Sequence, residues 1–67
     1  MKTYQCRGNA ANLREAIDFA FIQANSSREA AVAYSKMDSQ NEVIEVEIAA
    51  WIGNQWGKWE YQRVVKG

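Results

Sequence analysis

The most regular pattern in the chain lies in its C-terminal third. There Ile44, Val46, Ile48, Ala50 and Ile52 recur at every second position, with Glu45 and Glu47 between them. Successive side chains of a strand point to opposite faces, so this alternation predicts a half-buried strand. Gly53-Asn54 then breaks the run. Glycine takes positive φ without steric cost, which suits a tight hairpin turn. The return segment puts Trp59, Tyr61 and Val65 on one parity and Lys58, Glu60, Gln62 and Val64 on the other. A two-residue turn sets Ile48 opposite Trp59 and Val46 opposite Tyr61. A four-residue loop sets Ala50 opposite Trp59 and Ile48 opposite Tyr61. Both registers place Trp59 and Tyr61 on the apolar, core-forming face. The other face then carries Glu45, Glu47, Trp51, Trp56, Lys58, Glu60 and Gln62, with Trp51 and Trp56 near each other at the hairpin tip.

Upstream, residues 2–7 read as a first strand with Tyr4 and Cys6 on one face, followed by a loop at 8–12. Cys6 reads as a small buried hydrophobe. Residues 13–24 admit two readings. A strand over 15–24 fits the aromatic and β-branched content, sets Ile17, Phe19 and Phe21 on one face, and makes the two phenylalanines core beside the hairpin. A helix aligns Leu13, Ile17, Ala20, Phe21 and Ala24 in a stripe, with Asn12 and Glu15 as a capping box. Ser26-Ser27-Arg28-Glu29 is a second capping-box pattern. Ser26 can accept from the Glu29 amide, and the Glu29 side chain can reach back to Ser26. The helix it opens, to about residue 38, has Ala30, Ala33, Tyr34 and Met37 as its core stripe and Val32 facing away. Residues 39–41 are a loop. The fold expected is α+β, an antiparallel four-stranded sheet with one helix on one face in the order ββαββ. The alternative order is βααββ.

The length of 67 residues gives a single small domain, residues 1–67. With 48% hydrophobic and 24% charged residues the composition is that of a globular chain rather than a disordered one. Eight basic residues balance eight acidic ones, which gives no support to non-specific nucleic-acid binding. Cys6 is the only cysteine, so no intramolecular disulfide forms. No signal peptide and no apolar run of membrane-spanning length is present, which favours a reducing cytoplasm. Starting at Met1 without tag or linker, the chain reads as a complete small open reading frame.

The residue inventory also bounds the chemistry. There is no histidine, so neither a Ser-His nor a Cys-His nucleophile can be assembled. No metal-ligand spacing is present and the four glycines form no phosphate-cradling motif. Glu45, Glu47 and Glu60 are carboxylates at close strand spacing. Acid-base work by such a set needs a pocket, and a flat solvated face paired with Lys58 offers none. The reading is a protein with no catalytic residue, no metal and no cofactor. Its partner site is Trp51 and Trp56, bordered by Glu45, Glu47, Lys58 and Glu60. The two tryptophans have three readings: cover for the sheet, a protein-binding hot spot, or stacking platforms for single-stranded bases in a small nucleic-acid-binding regulatory module. Lys58, Arg63 and Lys66 would serve the last, but the glutamates beside them argue against a nucleic-acid track. A homodimer could use the same patch, since a two-fold axis buries it twice.

The run FIQANSSREA, continued as NSSREAAVAYSKM and followed by a strand hairpin, resembles several small bacteriophage-encoded inhibitors: anti-CRISPR proteins of ββαββ order and phage inhibitors of host RNA polymerase. The segment IQANSSREAAVAY also looks like an archaeal ribosomal protein of the same order, whose basic residues have no counterpart here. The resemblance covers most of the chain and assigns no individual residue. It implies an inhibitor that binds a host nucleic-acid-processing complex by protein–protein contacts.

Overall fold

A computed structural model of the chain describes residues 1–8, 20–37 and 41–66. The elements are β1 (Lys2–Gly8), β2 (Ala20–Ala24), α1 (Ser27–Ser35), β3 (Val43–Ile52), β4 (Gln55–Trp56) and β5 (Glu60–Val65). The architecture is the expected α+β arrangement, in the order ββαββ, with the return arm of the hairpin divided into β4 and β5. All pairings are antiparallel. β2 lies at one edge beside β1, β1 pairs with the centre of β3, and β4 and β5 both pair with β3 on its other side.

Alternation along β1 and β3 builds the core. Tyr4 and Cys6 from β1 and Ile44, Val46 and Ile48 from β3 point to the same side and are buried there under α1. Ala20 and Ala24 of β2 join them, so the edge strand is apolar toward the helix. Small residues at Ala20, Ala24, Ala30 and Ala31 let α1 lie close to the sheet, and the fully buried Tyr34 fills the centre of the layer.

The α1 N-terminus is capped by its own sequence: Ser26 Oγ accepts from the Glu29 amide at 3.1 Å. The Glu29 carboxylate reaches one residue further than predicted and accepts from the Asn25 amide at 3.4 Å. The buried stripe is rotated from the predicted one. Ala30, Ala31, Tyr34 and Ser35 are inside, whereas Ala33 and Val32 are half-buried and Met37 is exposed. Ser35 can be inside because its hydroxyl donates to the Val32 carbonyl at 2.6 Å. The helix ends at Ser35, short of residue 38, which lies outside the described residues.

Two strand expectations are corrected. Within the described residues β2 runs over Ala20–Ala24, pairs with β1 rather than the hairpin, and turns Phe21 outward at 63% exposure. Ala20 and Ala24 take the core side because Cys6 and Lys2 stand opposite them. Residues 13–19, including Ile17 and Phe19, lie outside the described residues.

The second correction changes the face assignment of the whole return strand. Gly53 and Asn54 form the two-residue turn, both at positive φ (57° and 64°), with Ile52 opposite Gln55 and Trp51 opposite Trp56. Continued unbroken, that register would set Ile48 opposite Trp59. Instead Ile48 stands opposite Glu60, so residues 57–59 face only residues 49 and 50. Gly57 still donates to the Ala50 carbonyl at 2.8 Å, which places the extra residue at Lys58-Trp59. One inserted residue is a β-bulge, and a slip of one reverses every side chain beyond it. Val64 therefore enters the core and Gln62 is half-buried, while Trp59, Tyr61 and Val65 turn to the opposite side. Glu60 and Gln62 leave the Trp51 face for the same reason, being opposite Ile48 and Val46. Ile52, predicted on the core face, is 55% exposed at the hairpin tip, where it adjoins the Gly53-Asn54 turn.

Candidate functional site

The bulge gathers the aromatic residues on one side. The sheet face away from α1 carries Phe21 on β2, Trp51 on β3, Trp56 on β4, and Tyr61 on β5, with Trp59 at the bulge; all five are exposed. Trp51 and Trp56 are a cross-strand pair with ring centroids 4.9 Å apart in an edge-on arrangement. Phe21 stacks on Trp56 at 6.0 Å. Each such ring pair contributes about 0.5–1.5 kcal/mol beyond its buried area. Thr3, Phe21, Trp51 and Trp56 line an open cleft with no charged group in its walls.

Beside the cleft the face is charged but internally balanced. Arg7 on β1 is opposite Glu47 on β3, and its Nε donates to Glu47 Oε1 at 3.0 Å. The same guanidinium lies 3.9 Å from the centre of the Trp59 ring, a cation–π contact. Tyr61 OH donates to Glu45 Oε2 at 3.0 Å, and Arg63 is opposite Glu45 in register. That hydrogen bond to a carboxylate, with slight desolvation and the nearby negative charge, raises the Tyr61 pKa above its ordinary value. Between the aromatic and charged halves, Gln5 and Ala49 are opposite each other and buried although they face outward.

Of the predicted partner residues, Trp51, Trp56, Glu45 and Glu47 share this face. Glu45 and Glu47 are engaged by Tyr61 and Arg7 rather than by Lys58. Lys58 is exposed within the bulge, and Glu60 lies on the helix-side parity. Phe21, Arg7, Trp59 and Tyr61 were missing from the set. Their shared face follows from strand pairing and the bulge, and local spacing carries no trace of either.

Cys6 is fully buried, and burial pushes its thiol up to about 11. It is a packing residue, as expected. Among the described residues no group of three or more His, Cys, Asp or Glu is placed to hold a metal ion, and no helix is long and apolar enough to cross a membrane. No family model, curated protein or solved structure matches the chain.

Proposed function

We propose that this protein is a non-enzymatic binding protein whose docking surface is the sheet face opposite α1. The observation that carries the reading is the set of five exposed aromatic side chains on one face, beside charges already paired within the chain. Contiguous exposed apolar patches mark interaction sites, and Trp and Tyr dominate the energetics of protein interfaces. Internal pairing of Arg7 with Glu47 leaves little positive field for a phosphate backbone, so a protein surface suits the face better than a nucleic acid. The finer reading is a phage-encoded inhibitor of anti-CRISPR type, acting in the host cytoplasm on a nucleic-acid-processing complex. Its support is the strand order and the FIQANSSREA resemblance. Glu45 and Glu47 would then border the contact and favour a basic partner surface.

The test is affinity capture from host lysate with the wild-type protein and with Trp51→Ala and Trp56→Ala. A stoichiometric protein partner is expected, with each substitution weakening it by at least about 2 kcal/mol. A tight small-molecule ligand and no protein partner would sink the proposal. The second reading, a small nucleic-acid-binding regulatory module, draws on the same rings as stacking platforms, with Arg7 among them. It requires binding to single-stranded DNA or RNA that weakens steeply with salt, and no binding at low salt removes it.

A further inference from the structure

The end of the sheet at the hairpin tip differs in chemistry from the rest of the surface. Residues 48–57 carry no charge, a run of ten in a chain that is 24% charged. The run folds back at Gly53-Asn54, with Ile52 opposite Gln55 and Trp51 opposite Trp56. Trp51, Ile52 and Trp56 are all exposed. β1 is antiparallel to β3 with Tyr4 opposite Ala50, so Met1 and Lys2 come out at this same end. Both are exposed, Met1 at 85%. Lys58, exposed in the bulge, follows two residues after Trp56. We propose that this end of the molecule inserts into the interface of an anionic lipid bilayer. The contact goes beyond the protein-docking face, with which it shares Trp51 and Trp56.

The side chains suit that medium. Tryptophan settles at headgroup depth because its ring is apolar while its N–H still finds a partner there. Ile52 and Met1 are apolar throughout, and leaving water is favourable for each. The charges have the complementary sign. Among the described residues, the cationic groups at this end are the Met1 amine, Lys2 and Lys58. The carboxylates of the hairpin arms stand farther back and are accounted for: Glu47 is bonded by Arg7 and Glu45 by Tyr61, while Glu60 is opposite Ile48. Glu29, on α1 behind the sheet, accepts from the Asn25 amide. Each basic side chain held at an anionic surface strengthens binding about fivefold. The depth also fits. A strand rises about 3.3 Å per residue, so Trp51 and Trp56 stand about 7 Å behind the turn and Lys58 about 7 Å behind them. Interfacial insertion reaches about 5–10 Å, which takes in the tip and leaves the lysine level with the headgroups. A contact of this kind needs no spanning helix.

Co-sedimentation with vesicles tests this at about 0.1 M salt, where charges at the far end of the molecule are screened. One set holds equal parts phosphatidylglycerol and phosphatidylcholine, the other phosphatidylcholine alone. The protein should bind the mixed vesicles at least about tenfold more tightly. Ile52→Glu should weaken that binding at least about tenfold, and Lys2→Gln and Lys58→Gln about fivefold each. Val65→Glu makes the same change of charge at the far end of the hairpin and should stay within about twofold. Circular dichroism checks the fold of each variant, and if Ile52→Glu does not fold, Ile52→Asn carries the comparison. Binding to neither vesicle, equal binding to both, or an equal loss with Val65→Glu overturns the proposal. So does a captured protein partner that is lost on Ile52→Glu without any vesicle binding, which assigns the tip to a protein. A partner lost on Trp51→Ala but kept on Ile52→Glu, with no vesicle binding, removes the membrane contact and leaves the docking face standing. Vesicle binding with no captured partner does the reverse.

Discussion

Val64 and Val65 are adjacent, chemically identical and placed on opposite faces, so they report directly on the bulge. Val64 is 5% exposed and Val65 64% exposed. Replacing each by threonine keeps the shape and the β-branched character and exchanges one methyl for a hydroxyl. At Val64 the hydroxyl enters an apolar cluster of Ile44, Val46, Tyr34 and Ala30. A buried hydroxyl without a partner costs about 1–3 kcal/mol in proteins. At Val65 the hydroxyl meets solvent, and the change should stay within about 0.5 kcal/mol. Urea unfolding followed by tryptophan fluorescence measures both. With a slope near 1 kcal/mol per M for so small a domain, Val64→Thr should lower the midpoint by about 1–3 M and Val65→Thr by under about 0.5 M. Without the inserted residue at Lys58-Trp59 the two faces exchange, and so do the two results. A larger loss for Val65→Thr would mean that Trp59 and Tyr61 are core and that the aromatic face does not exist.

Three further outcomes follow from the packing. A Cβ at Gly8 would collide with the Glu45 carbonyl oxygen and lie 3.0 Å from Val46 Cα, both backbone, so Gly8→Ala should destabilise by about 1–3 kcal/mol in the same urea assay. Ser26→Ala removes the cap on the Glu29 amide and should cost about 1 kcal/mol, with Ser26→Asp restoring most of it. The Cys6 thiol, up from 9.0 to about 11 in the folded chain, ionises first in the unfolded one. The unfolded state therefore gains proton release above pH 9. The contribution of Cys6 should be fully present below pH 9 and fall by about 2 kcal/mol as pH rises to about 11, with Tyr61 adding in the same direction and Cys6→Ala flattening the decline. Urea midpoints at pH 7 and pH 10.5 for both proteins settle it.

The parts of the fold that were legible are those fixed by local chemistry. Alternation from Ile44 to Ile48 sets one face of β3 whatever it pairs with, Gly53-Asn54 supplies positive φ twice, and Ser26 caps the third residue after it. The helix stripe was misjudged by a single residue at each pair because alanines at 30, 31 and 33 differ too little in hydrophobicity to mark a side. The return strand failed for a different reason. A bulge leaves the residues themselves unchanged and alters only which neighbour each one faces, and the segment from Lys58 to Val65 alternates acceptably in either phase. The candidate site inherited that error: Trp51 and Trp56 precede the bulge and were placed together, whereas Trp59 within it and Tyr61 beyond it were lost to the core. Phe21 was missed because an aromatic in an apolar run suggests burial, and only the pairing with Gln5 turns it outward.

A sheet can receive a partner along an edge or on a face, and the β5 side shows why the face is the better route here. The Lys66 amide donates to the Glu42 carbonyl at 2.7 Å, which makes that pair hydrogen-bonded. Bonded and non-bonded pairs alternate in an antiparallel ladder, so the backbone groups of Arg63, three residues earlier, point away from β3 toward the open edge. The Arg63 carbonyl is already taken, by Arg28 Nη1 at 2.8 Å, and the same guanidinium reaches the Gln62 side chain at 3.4 Å. An arginine laid across an edge strand both ties α1 to the sheet and blocks the addition of another strand. Edge-wise pairing at β5 would have to displace it, whereas the aromatic face already presents exposed rings. Binding through the face should therefore survive Arg28→Gln with the protein still folded and be lost with Trp51→Ala, and the reverse pattern would assign the contact to the edge.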